Sequence, residues 1–139
     1  MKQYVAAKAI ITNSDNKVLV LRQSFEKEVD GAGQYHVPGG IVEPGESLRE
    51  ALIREVHEET QFDIKPLKVL SVEEWQANMR GDDCYFFGMF FACELVGGDL
   101  EIQAEEASGF AWVDLENIDS YDILQPSKKI IEDYLKSAQ

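Results

Sequence analysis

Glu55, Glu58 and Glu59 follow one another at i, i+3 and i+4. On a helix that spacing places three carboxylates on one face. Like charges held so close cost an isolated helix roughly a few tenths of a kcal/mol each. The arrangement makes sense if a cation sits among them, and hard divalent ions such as Mg²⁺ or Mn²⁺ take oxygen ligands of this kind. Arg54 stands one residue earlier, able to reach back toward Glu46 or sideways to orient a glutamate. Gly39-Gly40 lets the backbone approach a ligand closely and presents a carbonyl. Pro44-Gly45-Glu46 then turns the chain toward the helix. A glycine loop, a turn and an acidic stripe together describe a platform for metal-bound diphosphate.

Such a platform needs a well-placed helix. Ser47 followed by Glu50 is a capping box, and Leu48, Leu52 and Val56 recur at fours, which predicts a helix from Leu48 to about Thr60. Upstream, Val5–Thr12 reads as a strand, Asn13-Ser14-Asp15-Asn16 as a turn, and Val18–Arg22 as the strand that returns from it in a hairpin. Ser24 to Gly33 reads as a surface loop, and Tyr35–Val37 as a short extended piece. Downstream, strands are expected at Leu67–Trp75, Cys84–Val96 and Gly109–Val113. The second is almost wholly apolar, which suits a central strand covered on both faces. Pro126 opens a last amphipathic helix carrying Ile130, Ile131, Tyr134 and Leu135. The expected class is α+β or α/β, a mixed β-sheet flanked by helices. No repeat or linker divides residues 1–139, so one domain is expected.

Composition narrows the function. Apolar residues make up 45% and charged residues 28% of the chain, which matches an ordinary globular domain. A formal charge of −13 argues against a nucleic-acid polymer as partner, since backbone phosphates demand a basic footprint. A small phosphorylated ligand remains compatible, through a bridging cation or a local basic pocket. No apolar run is long enough to span a membrane, and the first residues lack a signal-peptide layout, so the cytoplasm is the expected location. Cys84 and Cys93 read as reduced core residues pointing to opposite faces of one strand. The apolar strands would tolerate a homodimer without requiring one.

Residues 35–62 resemble the signature of the Nudix hydrolases. Gly40, Glu46, Arg54-Glu55-Val56 and Glu58-Glu59 stand at the family's intervals, after an aromatic-any-aliphatic-Pro-Gly-Gly lead-in at Tyr35 to Gly40. Gln61 occupies the place of the usual glycine, and Phe62 that of an aliphatic residue. Gln61 removes no ligand, so a different helix ending is expected there, with activity retained. The resemblance implies an α/β/α sandwich and attack of water on a phosphorus of a diphosphate linkage. It assigns Glu55, Glu58, Glu59 and the Gly40 carbonyl to the metal, and Arg54 and Glu46 to ordering the loop and helix. Glu58 is the first candidate for the general base. Glu105 or Glu106, preceding the strand at Gly109, is the other.

Around this platform Arg22 could meet a phosphate, or equally pair on the surface, while Gly39 and Gly40 would lie against the substrate. Tyr35, Phe25 or Phe86 could stack on a base, although the apolar neighbours of Phe86 favour the core. His36 could line the pocket or face solvent, and His57 falls roughly opposite the glutamates. Trp75 and Trp112 read as core or rim residues. The proline that ADP-ribose-type relatives often carry beyond the signature is missing from Trp75-Gln76-Ala77-Asn78-Met79. A tyrosine of the dinucleoside-polyphosphate kind is missing too. Elimination leaves a nucleoside triphosphate as the expected substrate. The alternatives are ADP-ribose, a dinucleoside polyphosphate, or a nucleotide-binding module without turnover.

Overall fold

The computed structural model describes residues 1–24 and 31–138. Its strands are β1 (Lys2–Ile11), β2 (Val18–Gln23), β3 (Tyr35–His36), β4 (Gly39–Ile41), β5 (Asp63–Met79), β6 (Asp82–Gly97) and β7 (Ala107–Val113). The helices are α1 (Leu48–Thr60) and α2 (Ser127–Ser137), with a short 3-10 turn at Ile118–Ser120. A mixed sheet runs in the order β4-β1-β6-β5, with β1 and β6 parallel and the remaining pairs antiparallel. A second, antiparallel sheet has the order β3-β2-β7.

The expected hairpin between the first two strands does not form. β1 and β2 lie in different sheets, and the bridge Thr12↔Val18 forms just beyond the end of β1. The Asn13 turn is present, its Oδ1 accepting from the Asp15 and Lys17 N–H groups at 3.0 Å each. Local turn chemistry reversed the chain, but burial chose the partners. Leu19 and Leu21 join Ala7, Ala9, Ile11, Leu52, Val56 and Phe91 in one core cluster. Val18 and Val20 join Ile10, Phe90, Ile130, Ile131 and Leu135 in another. A strand apolar on both faces is most stable between two layers, and β2 lies there. The first cluster sits under α1 and the second under α2, so helices close the sandwich from both sides. β6 occupies the centre of its sheet as expected, with Cys84 and Cys93 reduced, buried and in separate clusters. Burial pushes the Cys93 thiol up to about 12, so it remains protonated and inert.

α1 begins where the sequence indicated, Ser47 Oγ accepting the Glu50 N–H at 3.1 Å. Its apolar stripe is complete, with Ala51, Leu52 and Val56 fully buried. Ala7 and Ala9, small residues of β1, let the helix pack close to the sheet. Its end corrects an expectation. Gln61 adopts the left-handed conformation of a glycine, φ 64°, and donates to the His57 carbonyl at 2.9 Å. Contacts outside the helix fix that ending. The Thr60 carbonyl accepts from the Glu101 N–H at 2.9 Å, and Thr60 Oγ1 accepts from the Phe62 N–H at 3.1 Å. A non-glycine residue in this conformation costs about 1–2 kcal/mol, partly offset by its smaller freedom when unfolded. Gln61→Gly is therefore expected to stabilise the protein by about 1 kcal/mol, raising Tm by roughly 3–5 °C in a thermal melt. An unchanged or lower Tm would show that the strain is relieved elsewhere.

Candidate active site

Between β4 and α1 the chain folds back so that the Gly40 backbone lies against the Glu55 side chain. A Cβ built at Gly40 would fall 2.5 Å from the Glu55 carboxyl carbon, so any side chain there would have to displace that carboxylate. Gly39 donates its N–H to Glu59 Oε1 at 2.8 Å, and Glu59 is buried, at 3% exposed. Pairing with β1 fixes both glycines, Ala7 opposite Gly40 and Lys8 opposite Gly39.

Arg54 ties the turn to the helix. Its Nε donates to Glu46 Oε2 at 2.7 Å and its Nη2 to Glu46 Oε1 at 2.8 Å, a two-pronged pair. Nη2 also reaches the Ile41 carbonyl at 3.3 Å, and Nη1 donates to Glu55 Oε1 at 3.1 Å and approaches Glu58 at 3.4 Å. Glu46 Oε1 accepts from the Glu43 N–H at 2.9 Å. The Arg54 hydrogen bonds, then that backbone bond, hold the Glu46 carboxyl down at about 2. Arg54 itself is held more firmly protonated, chiefly by Glu46. Burial pushes the Glu55 carboxyl above its usual range, against the opposing pull of Arg54.

The sign for Glu46 follows from linkage. A carboxylate with a lowered folded pKa adds stability above its ordinary value of 4.5, lost as pH falls through about 2. Across that window Glu46→Gln is expected to lose stability less steeply than the parent protein, as read by denaturant unfolding at a series of pH values. Parallel slopes for the two proteins would show that the Arg54–Glu46 pair does not persist in solution.

The three α1 carboxylates are thus unlike one another. Glu59 turns inward to the Gly39 N–H, Glu55 is held against Gly40, and Glu58 is open, its side chain 55% exposed. As the side chains stand, no group of three or more His, Cys, Asp or Glu among the described residues is gathered to hold a metal ion. The Arg54 guanidinium is the cation between Glu55 and Glu58.

Arg22 Nε donates to the Gly33 carbonyl at 3.1 Å. Tyr35 is half-buried and packs edge-on against Tyr121, ring centroids 5.3 Å apart. Phe86 is buried, stacked between Tyr4 and Trp75, as its neighbours suggested. Glu105 is exposed on the turn before β7, and among the described residues no hydrogen bond or ion pair joins it to the α1 carboxylates. Glu106, beside it, is half-buried. His57 faces outward toward Asp63 at 3.1 Å. Phe25 lies outside the described residues. His36 faces the opposite way from Tyr35, and Lys8 Nζ stands 3.2 Å from its Nδ1. Lys8 was not among the sequence candidates. Its only signal was a charge within an otherwise Ala- and Ile-rich strand.

The NUDIX domain family model matches residues 2–134. The chain belongs to the Nudix family. Membership makes it a pyrophosphohydrolase, and Nudix relatives are found under several names. An ADP-ribose pyrophosphatase of Methanocaldococcus jannaschii is 31% identical, over 91% of this chain and 70% of its own length. A nucleoside triphosphatase NudI of Escherichia coli is 29% identical, over 94% of this chain and 96% of its own. A putative nudix hydrolase 1 of Caenorhabditis elegans is 32% identical over 83% of this chain, which spans 30% of that longer protein. Among solved structures, the MutT protein of Methanosarcina mazei superposes with a TM-score of 0.82 at 25% identity, covering 99% of this chain and 96% of its own. The fold is the Nudix fold, a mixed sheet between two helices. No helix among the described residues is long and apolar enough to cross a membrane.

Proposed function

We propose that this Nudix protein hydrolyses a phosphoanhydride bond of a nucleoside triphosphate in the cytoplasm, using Mg²⁺ or Mn²⁺. The observation that carries the reading is the Gly40–Glu55 contact, where a carboxylate occupies the space that a methyl group on Gly40 would fill. The donors there are all hard oxygens, and a guanidinium already lies between Glu55 and Glu58, so the residues suit a divalent cation. Glu55, Glu58, Glu59 and the Gly40 carbonyl would hold it. When bound, such an ion neutralises phosphate charge and lowers the pKa of coordinated water. The chain's own part is then positional. Arg54 and Glu46 clamp the glycine turn to α1, Gly39 keeps Glu59 in place, and Glu58 stands open to accept a proton from water. Glu105 and Arg22 are the outlying candidates, for base and for phosphate contact.

The end-to-end likeness to a nucleoside triphosphatase supports a triphosphate substrate, as does the missing proline beyond the signature. The 31% identity to an ADP-ribose pyrophosphatase supports ADP-ribose as the second reading. The test is incubation with Mg²⁺ or Mn²⁺ and a panel of nucleoside triphosphates, ADP-ribose and dinucleoside polyphosphates, reading phosphate and pyrophosphate release. Release from triphosphates alone is the expected result. Release from ADP-ribose alone would move the assignment there, and no release with either metal would overturn turnover itself.

A further inference from the structure

From Val5 to Ile11, β1 is small and apolar with one exception. Lys8 stands half-buried between Ala7 and Ala9, both 0% exposed. A half-buried lysine lays its stem along apolar surface and keeps its ammonium at the rim. Strand alternation puts its side chain on the face opposite α1, with Tyr4, Ala6 and Ile10. Pairing places it directly across from Gly39. Nζ lies 3.2 Å from His36 Nδ1. His36 Nδ1 is also 2.9 Å from the Val37 carbonyl, so by tautomer it either donates there or accepts from Lys8.

Along the same face of the sheet stand the half-buried Tyr4, stacked on Phe86 at 5.6 Å, and Trp75, stacked on the other side of Phe86 at 5.4 Å. Ala6 lies opposite Gly88, and the Trp75 ring covers that glycine and stands 6.2 Å from Phe90, the residue that pairs with Lys8, so the aromatic surface runs up to the Lys8 position. The order across the face is aromatic stack, Lys8, glycine turn. A nucleotide reads in that order from its base to its phosphates.

We propose that Lys8, steadied by His36, binds the phosphate nearest the nucleoside, from the side of the glycine turn away from the α1 glutamates. A polyphosphate approaching a chain with 26 acidic and 13 basic residues meets net repulsion, which a local cation offsets. Arg54 is committed to Glu46. A lysine ammonium supplies a compact charge and three donors to a phosphate oxygen. The inference rests on the triphosphate reading above, and the experiment separates the two.

Lys8→Met and Lys8→Arg would be compared with the parent protein in two assays, both with Mg²⁺. One is steady-state turnover of a nucleoside triphosphate. The other is calorimetric binding of its non-hydrolysable α,β-methylene analogue, and of the parent nucleoside. Lys8→Met is expected to weaken the analogue and raise KM by roughly 10–100-fold. The value of kcat is expected to change far less, and nucleoside binding not at all. Lys8→Arg is expected to recover most of the loss. Equal weakening of nucleoside and analogue would overturn the proposal by making Lys8 a support for the fold or the base. Unchanged analogue affinity, or no analogue binding by the parent protein, would overturn it as well. If the parent binds the analogue but hydrolyses nothing, the hydrolase reading falls while the binding comparison still judges Lys8. A thermal melt checks folding, and Lys8→Gln replaces the Met variant if that one is unfolded.

Discussion

Replacing Glu58 by Gln is expected to lower kcat by roughly 10²–10⁴-fold, the usual contribution of a general base. The expectation follows from how differently the three α1 glutamates are held. Glu59 is buried with Oε1 on the Gly39 N–H. Glu55 is packed against Gly40 with its carboxyl pushed upward by burial. Glu58 alone of the three has a largely exposed side chain, able to meet water. Arg54 Nη1 stands 3.4 Å from each of its carboxylate oxygens, which is long for a hydrogen bond. Gln keeps the size of the side chain, so fold and KM are expected to change little. Steady-state kinetics with Mg²⁺, beside Glu105→Gln, gives the answer. A Glu58→Gln enzyme with parental kcat would remove Glu58 from the chemistry, and a collapse in Glu105→Gln would move the base to the turn before β7.

The largest effect on stability is expected at Gly39. Its φ is +138°, and a Cβ there would lie 2.1 Å from the Ala7 carbonyl oxygen and 2.8 Å from the Lys8 Cα. Both obstacles are backbone of the neighbouring strand, so no side chain can swing aside. Conformational strain and overpacking each cost about 1–3 kcal/mol, so Gly39→Ala is expected to lose roughly 2–6 kcal/mol. A total stability of about 5–15 kcal/mol leaves little room for such a loss. Activity should fall with it, because displacing β4 also withdraws the N–H from Glu59. Gly45→Ala is the control. It shares a positive φ of +87°, but nothing lies within 4 Å of its added Cβ. Denaturant unfolding of the two variants should therefore give a much larger loss at Gly39. Equal losses would mean that strain alone matters and that β4 can move off β1.

Much of the site was legible because it is local. Ser47, Glu50 and the Leu48–Leu52–Val56 stripe set α1 within one stretch of chain, and the spacing of Glu55, Glu58 and Glu59 then follows from helix geometry. The reach of Arg54 back to Glu46 was legible for the same reason, since a turn and one capped helix connect them. The resemblance to the Nudix signature rested on these residues, and the family match confirms it.

What the sequence determined by itself was therefore a capped acidic helix behind a glycine turn, with alternating strands around it and Cys84 and Cys93 on opposite faces. Those features depend on backbone periods and on bonds between near neighbours. The tertiary structure decided everything that needs two distant segments to meet. β4 is only three residues long, too short for any period to reveal, and exists because β1 offers it a partner. β2 left its apparent hairpin because both of its faces are apolar and the space between two helices buries both. Gln61 took a glycine's conformation because Thr60 is anchored from Glu101, far along the chain. The surroundings of the three glutamates diverged only when Gly39 and Gly40 packed against Glu59 and Glu55. Lys8 came to face the glycine turn by the register of β1 on β4, a pairing chosen by burial and backbone hydrogen bonds that no local pattern encodes.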